Sequence, residues 1–287
     1  MLAPQAPKIH FREIADSDLS GVIGLLLRGY RHNTEHWVRS LDRLARHPTP
    51  PGFPKYGYLL EGEGRVVGVI LLIFSAVQTD GGYTTRCNIA GWCVDPAYGS
   101  YAPLLHSRAL KRKDVTYMNV PGPHVLPIVE ALGFSRYSNG QFVAIPAVQR
   151  AAEGAAVNVV EATARPDVQR DSYEQDLLLS HTQFGCMSLW CTTADEAHPF
   201  VFHPVNVRGF IPSVRLIYCR SVEDFVRFAQ PIGRYLAKRG RPFVLIDANG
   251  PIPGLVGRYF EGSRPKYFKG PTPPRLGDLA YTNLSMF

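Results

Sequence analysis

Two short stretches constrain this chain more than anything else in it. Val94-Asp-Pro-Ala-Tyr-Gly-Ser-Tyr-Ala-Pro-Leu-Leu105 reads as a strand end, a turn of small residues and a helix opening at Pro103. Asn119-Val-Pro-Gly-Pro-His-Val-Leu-Pro-Ile-Val-Glu-Ala-Leu-Gly-Phe134 repeats the pattern with a Pro/Gly loop and a short amphipathic helix, stopped by Gly133 in the left-handed conformation. A strand that passes into a helix through such a turn presents backbone N–H groups at a positive helix end, where a pyrophosphate can bind. Units of this kind belong to layered α/β (α+β) architectures.

At 287 residues the chain has room for two domains or one large one. Its 45% hydrophobic and 19% charged residues are an ordinary globular balance. The apolar run Val66–Phe74 falls far short of the ~20 residues that a membrane helix needs. The start, Met1-Leu-Ala-Pro-Gln-Ala-Pro-Lys8, lacks the basic and apolar regions of a secretion signal, so the expected location is the cytoplasm. Cys87, Cys93, Cys186, Cys191 and Cys219 form no Cys-x-x-Cys pair and sit in apolar, strand-like contexts. They read as small buried hydrophobes in a reducing compartment rather than as a metal site or a nucleophile.

The net charge of +7 is spread over both halves of the chain. Its tightest runs, Lys111-Arg-Lys113 and Lys238-Arg-Gly-Arg241, fall at expected helix C-termini, where cations meet the helix dipole. That placement explains them better than nucleic-acid binding does. A mildly basic surface also suits an anionic ligand.

Along the chain, Lys8–Ile14 alternates like a strand. Asp16 to Leu19 opens a helix carrying Val22, Ile23, Leu25, Leu26 and Leu27, and a second helix spans Thr34–Arg46. Tyr56–Leu60 and Arg65–Val77 read as strands joined by a hairpin turn at Glu61-Gly-Glu-Gly64. The glycines there do not make a dinucleotide loop, because a strand follows them rather than a helix. Strands at Asn88–Val94, Val115–Asn119 and Gln141–Ile145 alternate with helices at Pro103–Lys111 and His124–Leu132.

This order, with the two turn motifs above, resembles the GNAT superfamily of acyl-CoA N-acyltransferases across residues 8–146. The resemblance implies a mixed, mostly antiparallel sheet flanked by helices, with acetyl-CoA or another acyl-CoA as co-substrate and no metal. In that family the turn after the fourth strand resembles Pro-x-Tyr-Arg-Gly-x-Gly-Ile-Gly, and its amides hold the pyrophosphate. Here the matching residues are Pro96-Ala-Tyr98 and then Gly99-Ser-Tyr-Ala-Pro103, with one glycine and with Gly99 at the customary Arg/Gln position. The residues expected to hold the co-substrate are Cys93, Val94, Gly99, Ser100, Tyr101 and Ala102, with pantetheine pairing along the Trp92–Val94 edge. The family's acid Tyr and its Asn fall on Val129 and Gly122, so both are replaced. Tyr137 and His124 stand in as candidate catalytic groups, with Tyr101 a further nearby hydroxyl. No strong general base stands out, and the acceptor is expected near Tyr137 and the helices around Tyr30 to Trp37.

Beyond an Ala-rich linker at 148–156 the plan recurs. Strands are expected at Val157–Val160, Cys186–Cys191, Pro199–Phe202, Ser213–Cys219 and Pro242–Asp247, with a helix over Asp167–His181 and one long helix opening at Ser221. Asp247-Ala-Asn-Gly-Pro-Ile-Pro-Gly-Leu255 echoes the Gly-Pro turn at Asn119, again with a short helix expected after it. The resemblance therefore extends to two tandem GNAT-like domains, residues 1–147 and 157–287. In the second, Tyr218-Cys-Arg-Ser-Val-Glu-Asp224 has no glycine and is capped by its own Ser221, so it is not expected to bind CoA in the family manner.

His198 and His203 would lie on opposite faces of a strand, which argues against chelation with His181. The aromatic and basic stretch Phe260–Phe268 reads either as a binding surface or as a solvated strand edge. The implied function is transfer of an acyl group, expected to be acetyl, to a small amine-bearing molecule; the alternative is a non-catalytic GNAT-fold module for ligand binding or assembly. The implied partner is that small-molecule acceptor, with a homodimer left open and neither nucleic acid nor membrane expected.

Overall fold

The computed structural model describes residues 8–79, 81–122, 125–150, 157–164 and 170–287. The chain divides into two compact units. One comprises Met1–Asn119, Gly270–Thr272 and Met286–Phe287; the other comprises Val120–Lys269 and Pro273–Ser285.

The first unit carries β1 (Ile9–Glu13), α1 (Leu19–Gly29), α2 (Thr34–Arg46), β2 (Gly57–Gly62), β3 (Arg65–Thr79), β4 (Gly82–Val94), α3 (Ala102–Ala109) and β5 (Val115–Asn119). The strands lie in the order β1-β2-β3-β4-β5, antiparallel except for the parallel pair β4/β5. β3 is buried without a break from Val67 to Ser75, the signature of a strand covered on both faces. α1 turns Val22, Leu25 and Leu26 inward, and α2 turns Trp37, Leu41 and Leu44 inward. Asn33 caps α2 by accepting the His36 amide at 2.9 Å. At the β2–β3 hairpin Glu63 and Gly64 both have positive φ (53° and 73°), as a two-residue type I′ turn requires.

The second unit carries α4 (Leu126–Ala131), β6 (Ser135–Ala144), β7 (Asn158–Glu161), α5 (Ser172–Gln183), β8 (Met187–Thr192), β9 (Ala197–Val207), β10 (Ile211–Cys219), α6 (Val222–Arg227), α7 (Ala229–Lys238), β11 (Phe243–Ala248) and β12 (Gly257–Lys269). Its strand order is β12-β6-β11-β10-β9-β8-β7, with β10/β11 the parallel pair. Strands β7 to β11 thus repeat the plan of β1 to β5. Phe200, Phe202, Val214 and Ile246 pack against Phe225, Phe228, Ile232 and Leu236 to form the core on one sheet face. α7 sits so tightly on the loop after β6 that a Cβ at Gly233 would lie 2.1 Å from the Ala147 nitrogen.

Several expectations are corrected. α4 and β6, read as closing the first half, cluster with the second unit. β6 begins six residues before the expected Gln141, because its polar start gives no apolar alternation. The long helix expected from Ser221 is two helices, broken at Phe228 (φ −100°, ψ 11°). The Gly-Pro echo after Asp247 opens no helix; residues 249–256 are an irregular loop. Phe260–Phe268 is part of β12, paired to β6; Phe260, Glu261 and Arg264 are exposed as a solvated strand would be, whereas Lys266 and Tyr267 are fully buried. The helix expected from Asp167 begins at Ser172, and much of the expected linker, residues 151–156, lies outside the described residues. Among the described residues no helix is long and apolar enough to cross a membrane.

Candidate functional site

β4 and β5 pair only from Thr85↔Val115 to Ile89↔Asn119. Beyond Ile89, β4 continues to Val94, past the last residue of β5. A bulge sits at the divergence: Leu71 faces Gly91 and Leu72 faces Ile89, leaving Ala90 extra. A splayed parallel pair leaves main-chain donors and acceptors of β4 facing a gap, into which an extended ligand can pair as an added strand.

One side chain already uses that edge. The Trp92 N–H donates to the Tyr30 hydroxyl at 2.9 Å, and this hydroxyl donates to the Trp92 carbonyl at 3.1 Å. Tyr30 follows directly on α1, whose last residue, Gly29, lies so close to β4 that a Cβ there would fall 2.3 Å from Cys93 Sγ. Burial, opposed by the bond to the Trp92 carbonyl, holds the Tyr30 hydroxyl above the usual phenol range, so it keeps its proton at neutral pH.

Around Tyr30 lies an aromatic group centred on Trp37. Its ring stands 5.4 Å from Tyr30, 5.1 Å from His36, 5.7 Å from His32 and 6.3 Å from Phe287. His32 and His36 stack at 4.0 Å. Burial, then the charges of His32, Arg39 and Arg43, hold His36 below the usual imidazole range. It is therefore neutral at pH 7 and able to accept a proton. Toward α3, the Trp92 ring meets His106 at 5.1 Å. The indole nitrogens of Trp92 and Trp37 are buried and, among the described residues, have no acceptor. Two such orphaned donors are unusual, since a buried N–H normally finds a partner.

The turn after β4 is wound differently from a phosphate cradle. Pro96–Tyr101 is wound into two 3-10 turns with a kink at Tyr98 (φ −116°, ψ 16°) before α3, and the i→i+3 bonds of the Tyr98 and Ala102 amides use donors that a cradle would leave free. Asp95 caps it, accepting the Ala97 amide at 3.2 Å. Arg65 and Arg28 approach the Asp95 carboxylate at 3.2 and 3.8 Å, and both guanidinium groups are largely exposed. A Cβ at Gly99 would meet nothing within 4 Å, so this glycine clears no close backbone approach. The β4 edge and the orphaned indoles fit an acyl-pantetheine arm. Phosphates would have to rely on Arg28 and Arg65 instead of a glycine-lined nest.

Cys93, Val94, Gly99, Ser100, Tyr101 and Ala102 thus lie together at the end of β4 in the first unit. Tyr137 lies on β6 in the second unit, with its ring 6.2 Å from Phe268. His124 lies outside the described residues. The sequence places pantetheine along Trp92–Val94 and the acceptor around Tyr30 to Trp37, but gives no individual role to the Tyr30 hydroxyl, the Trp92 indole or His36. For Tyr30 and His36 the signal is a Tyr-x-His-x-x-x-His-Trp cluster running from the end of α1 into α2, which reads equally well as core.

The second half repeats the splay. β10 and β11 pair from Ser213↔Phe243 to Arg215↔Leu245 and then part, with a bulge at Ile217 between Leu216 and Tyr218. A cleft of about 520 Å³ opens there, lined at its rim by Arg220 to Glu223, Asn249 to Pro253, Arg275 and Leu276. Ser221 caps α6 through the Asp224 amide at 3.0 Å. Cys87, Cys191 and Cys219 are buried, and burial pushes each thiol up, that of Cys219 to about 12.

No family model matches the sequence, and no curated protein does. Solved structures do. A putative acetyltransferase from Pyrococcus horikoshii is 14% identical, with 98% of this chain and 95% of that one covered and a TM-score of 0.57. A GCN5-related N-acetyltransferase from Kribbella flavida is 14% identical over 91% of this chain and 71% of its own, with a TM-score of 0.58. A tandem GNAT protein from the clavulanic acid biosynthesis pathway is 12% identical over 93% and 100%, with a TM-score of 0.51. Such low identities speak to the fold alone. The parallel pair that parts beside a bulge, present once in each half, agrees with them: this chain has the GNAT fold in tandem arrangement.

Proposed function

We propose that the protein is an acyl-CoA-dependent N-acyltransferase that works from its first half and acylates a small amine. The observation that carries this reading is the β4 edge at Ala90–Val94, which runs on beyond the last β5 pair and carries the orphaned Trp92 indole. Among the described residues the hydroxyl of Tyr30 bonds Trp92 there, and a side chain can turn aside.

Acyl-CoA, when bound, would supply the activated acyl thioester. The remaining tasks fall to this chain. Trp92 offers its main-chain N–H and its indole N–H to orient carbonyl groups of the ligand. Arg28 and Arg65 offer positive charge at the turn. Neutral His36 takes up the proton released by the acceptor amine, and Tyr30 holds a proton toward the departing sulfur. Tyr30 and His36 both touch Trp37, which would hold their hydroxyl and imidazole in one neighbourhood.

A second reading, a non-catalytic GNAT-fold module, is favoured by the wound turn and its Asp95 cap. Thermal denaturation with acetyl-CoA and longer acyl-CoAs separates the two. Ligand at 100 times Kd should stabilise the fold by about 2.7 kcal/mol, several degrees in Tm. No shift at millimolar acyl-CoA would rule out the enzyme.

A further inference from the structure

The gap between β10 and β11 is not empty: the chain's own C-terminal segment lies in it. The Leu279 amide donates to the Ile217 carbonyl at 2.7 Å, and the Cys219 amide donates to the Gly277 carbonyl at 2.9 Å. Tyr218 and Asp278 form an antiparallel bridge between these bonds. The Arg275 guanidinium donates to the Cys219 carbonyl and stacks over the Tyr218 ring at 5.0 Å. These are the main-chain groups of β10 that lie beyond the Ile217 bulge, where pairing with β11 has stopped.

Cys219 stands two residues past its bulge, as Trp92 stands two residues past Ala90. The same main-chain donor is therefore satisfied in both halves, by a hydroxyl in the first and by a length of backbone in the second. That backbone is fitted to its place. Gly277 has φ +81°, and a Cβ on it would lie 2.6 Å from Cys219 Sγ, so only glycine passes there. Leu279 and Ala280 are at most 3% exposed. Beyond them the Tyr281 amide donates to His181 Nε2 at 3.2 Å, which anchors the segment to α5.

We propose that Arg275–Leu279 is a built-in occupant of the second half's acyl-CoA slot. It stands where an extended pantetheine arm would pair with β10, and it closes that half to acyl-CoA. The cleft of about 520 Å³ beside Ser221 and Leu276 is the mouth of this slot, and the path inward from it is filled by the chain itself. The occupancy of β10 is independent of the function proposed above; the consequence, one acyl-CoA per chain, rests on it.

Hydrogen–deuterium exchange on the full chain tests this in two arms. Without ligand, Gly277→Ala should speed exchange of the Ile217–Cys219 and Gly277–Leu279 amides about tenfold and leave β8 and β9 unchanged. Adding Cys219→Ala, which removes the clashing sulfur, should restore part of the protection. Unchanged exchange in Gly277→Ala would overturn the proposal. The second arm needs no variant: saturating acetyl-CoA should leave β10 exchange in the native protein as it was, with calorimetry giving one ligand per chain. Added protection of Ile217–Cys219, or two ligands per chain, would also overturn it. A complete absence of acetyl-CoA binding would instead overturn the function proposed for the first half, while the ligand-free arm stands.

Discussion

The Tyr30 hydroxyl holds both main-chain groups of Trp92, accepting at 2.9 Å and donating at 3.1 Å across 62 residues of sequence. Phenylalanine keeps the ring contacts with Trp37 and removes both bonds. Tyr30→Phe should cost about 1–3 kcal/mol, because Trp92 is left with an unmatched donor and acceptor. Acyl-CoA affinity should hold or rise, since the competing hydroxyl has gone, while kcat falls. Denaturant titration, calorimetry and a free-thiol assay read the three quantities separately; an unchanged kcat would exclude Tyr30 as proton donor.

Trp92→Phe makes the opposite separation. The buried indole N–H has no acceptor among the described residues, so removing it should leave stability unchanged or improved despite some lost area. If that N–H serves the ligand, affinity for acetyl-CoA should fall about tenfold. Loss of stability with intact affinity would assign Trp92 to the core only.

Gly99→Glu tests the turn without disturbing it. The position is open and its φ lies outside the left-handed region, so the variant should fold. A carboxylate added near Arg28 and Arg65 should weaken CoA binding, most of all at low salt. Ser221→Ala, its counterpart in the second half, should cost roughly 1 kcal/mol for a lost cap and leave CoA affinity alone. The reverse result would move the working site to the second half.

The pH profile should report His36. Its folded pKa is depressed, by burial first and then by His32, Arg39 and Arg43. The neutral ring is thus fully present above the ordinary imidazole value of about 6.5 and is lost as pH falls through the lower folded value. Turnover should be flat through neutrality and decline on the acid side, and His36→Asn should abolish that limb. An acid limb that survives the substitution would point to another base.

In the second unit, Asp247 accepts from Lys266 at 3.1 Å, while Arg215 is also buried near it. Two buried cations share one carboxylate. Asp247→Ala should therefore be severe, about 3–5 kcal/mol, whereas Lys266→Met, which leaves Asp247 beside Arg215, should be far milder. Equal losses in urea melts would mean that the cluster is not electrostatically coupled.

Regular periodicity made most elements legible: α2 begins and ends where its apolar spacing places it, and β5 agrees residue for residue. What stayed hidden depends on partners remote in sequence. Nothing near Tyr30 announces Trp92. The break at Phe228 has a local cause instead: Pro231 has no N–H to bond the Arg227 carbonyl four residues back, and its ring crowds that carbonyl. The polar start of β6 looks like coil until it pairs, and Gly277 looks like a loop glycine until Cys219 lies against it.

Parting two strands of a sheet creates an inner edge, and an inner edge with idle amides is as able to recruit a strand from a neighbouring molecule as an outer one. With Gly277–Leu279 laid along β10, the protein has no such idle edge at Cys219 to offer. The second half should therefore remain monodisperse at concentrations and temperatures where a hollow relative would begin to associate through its own cleft.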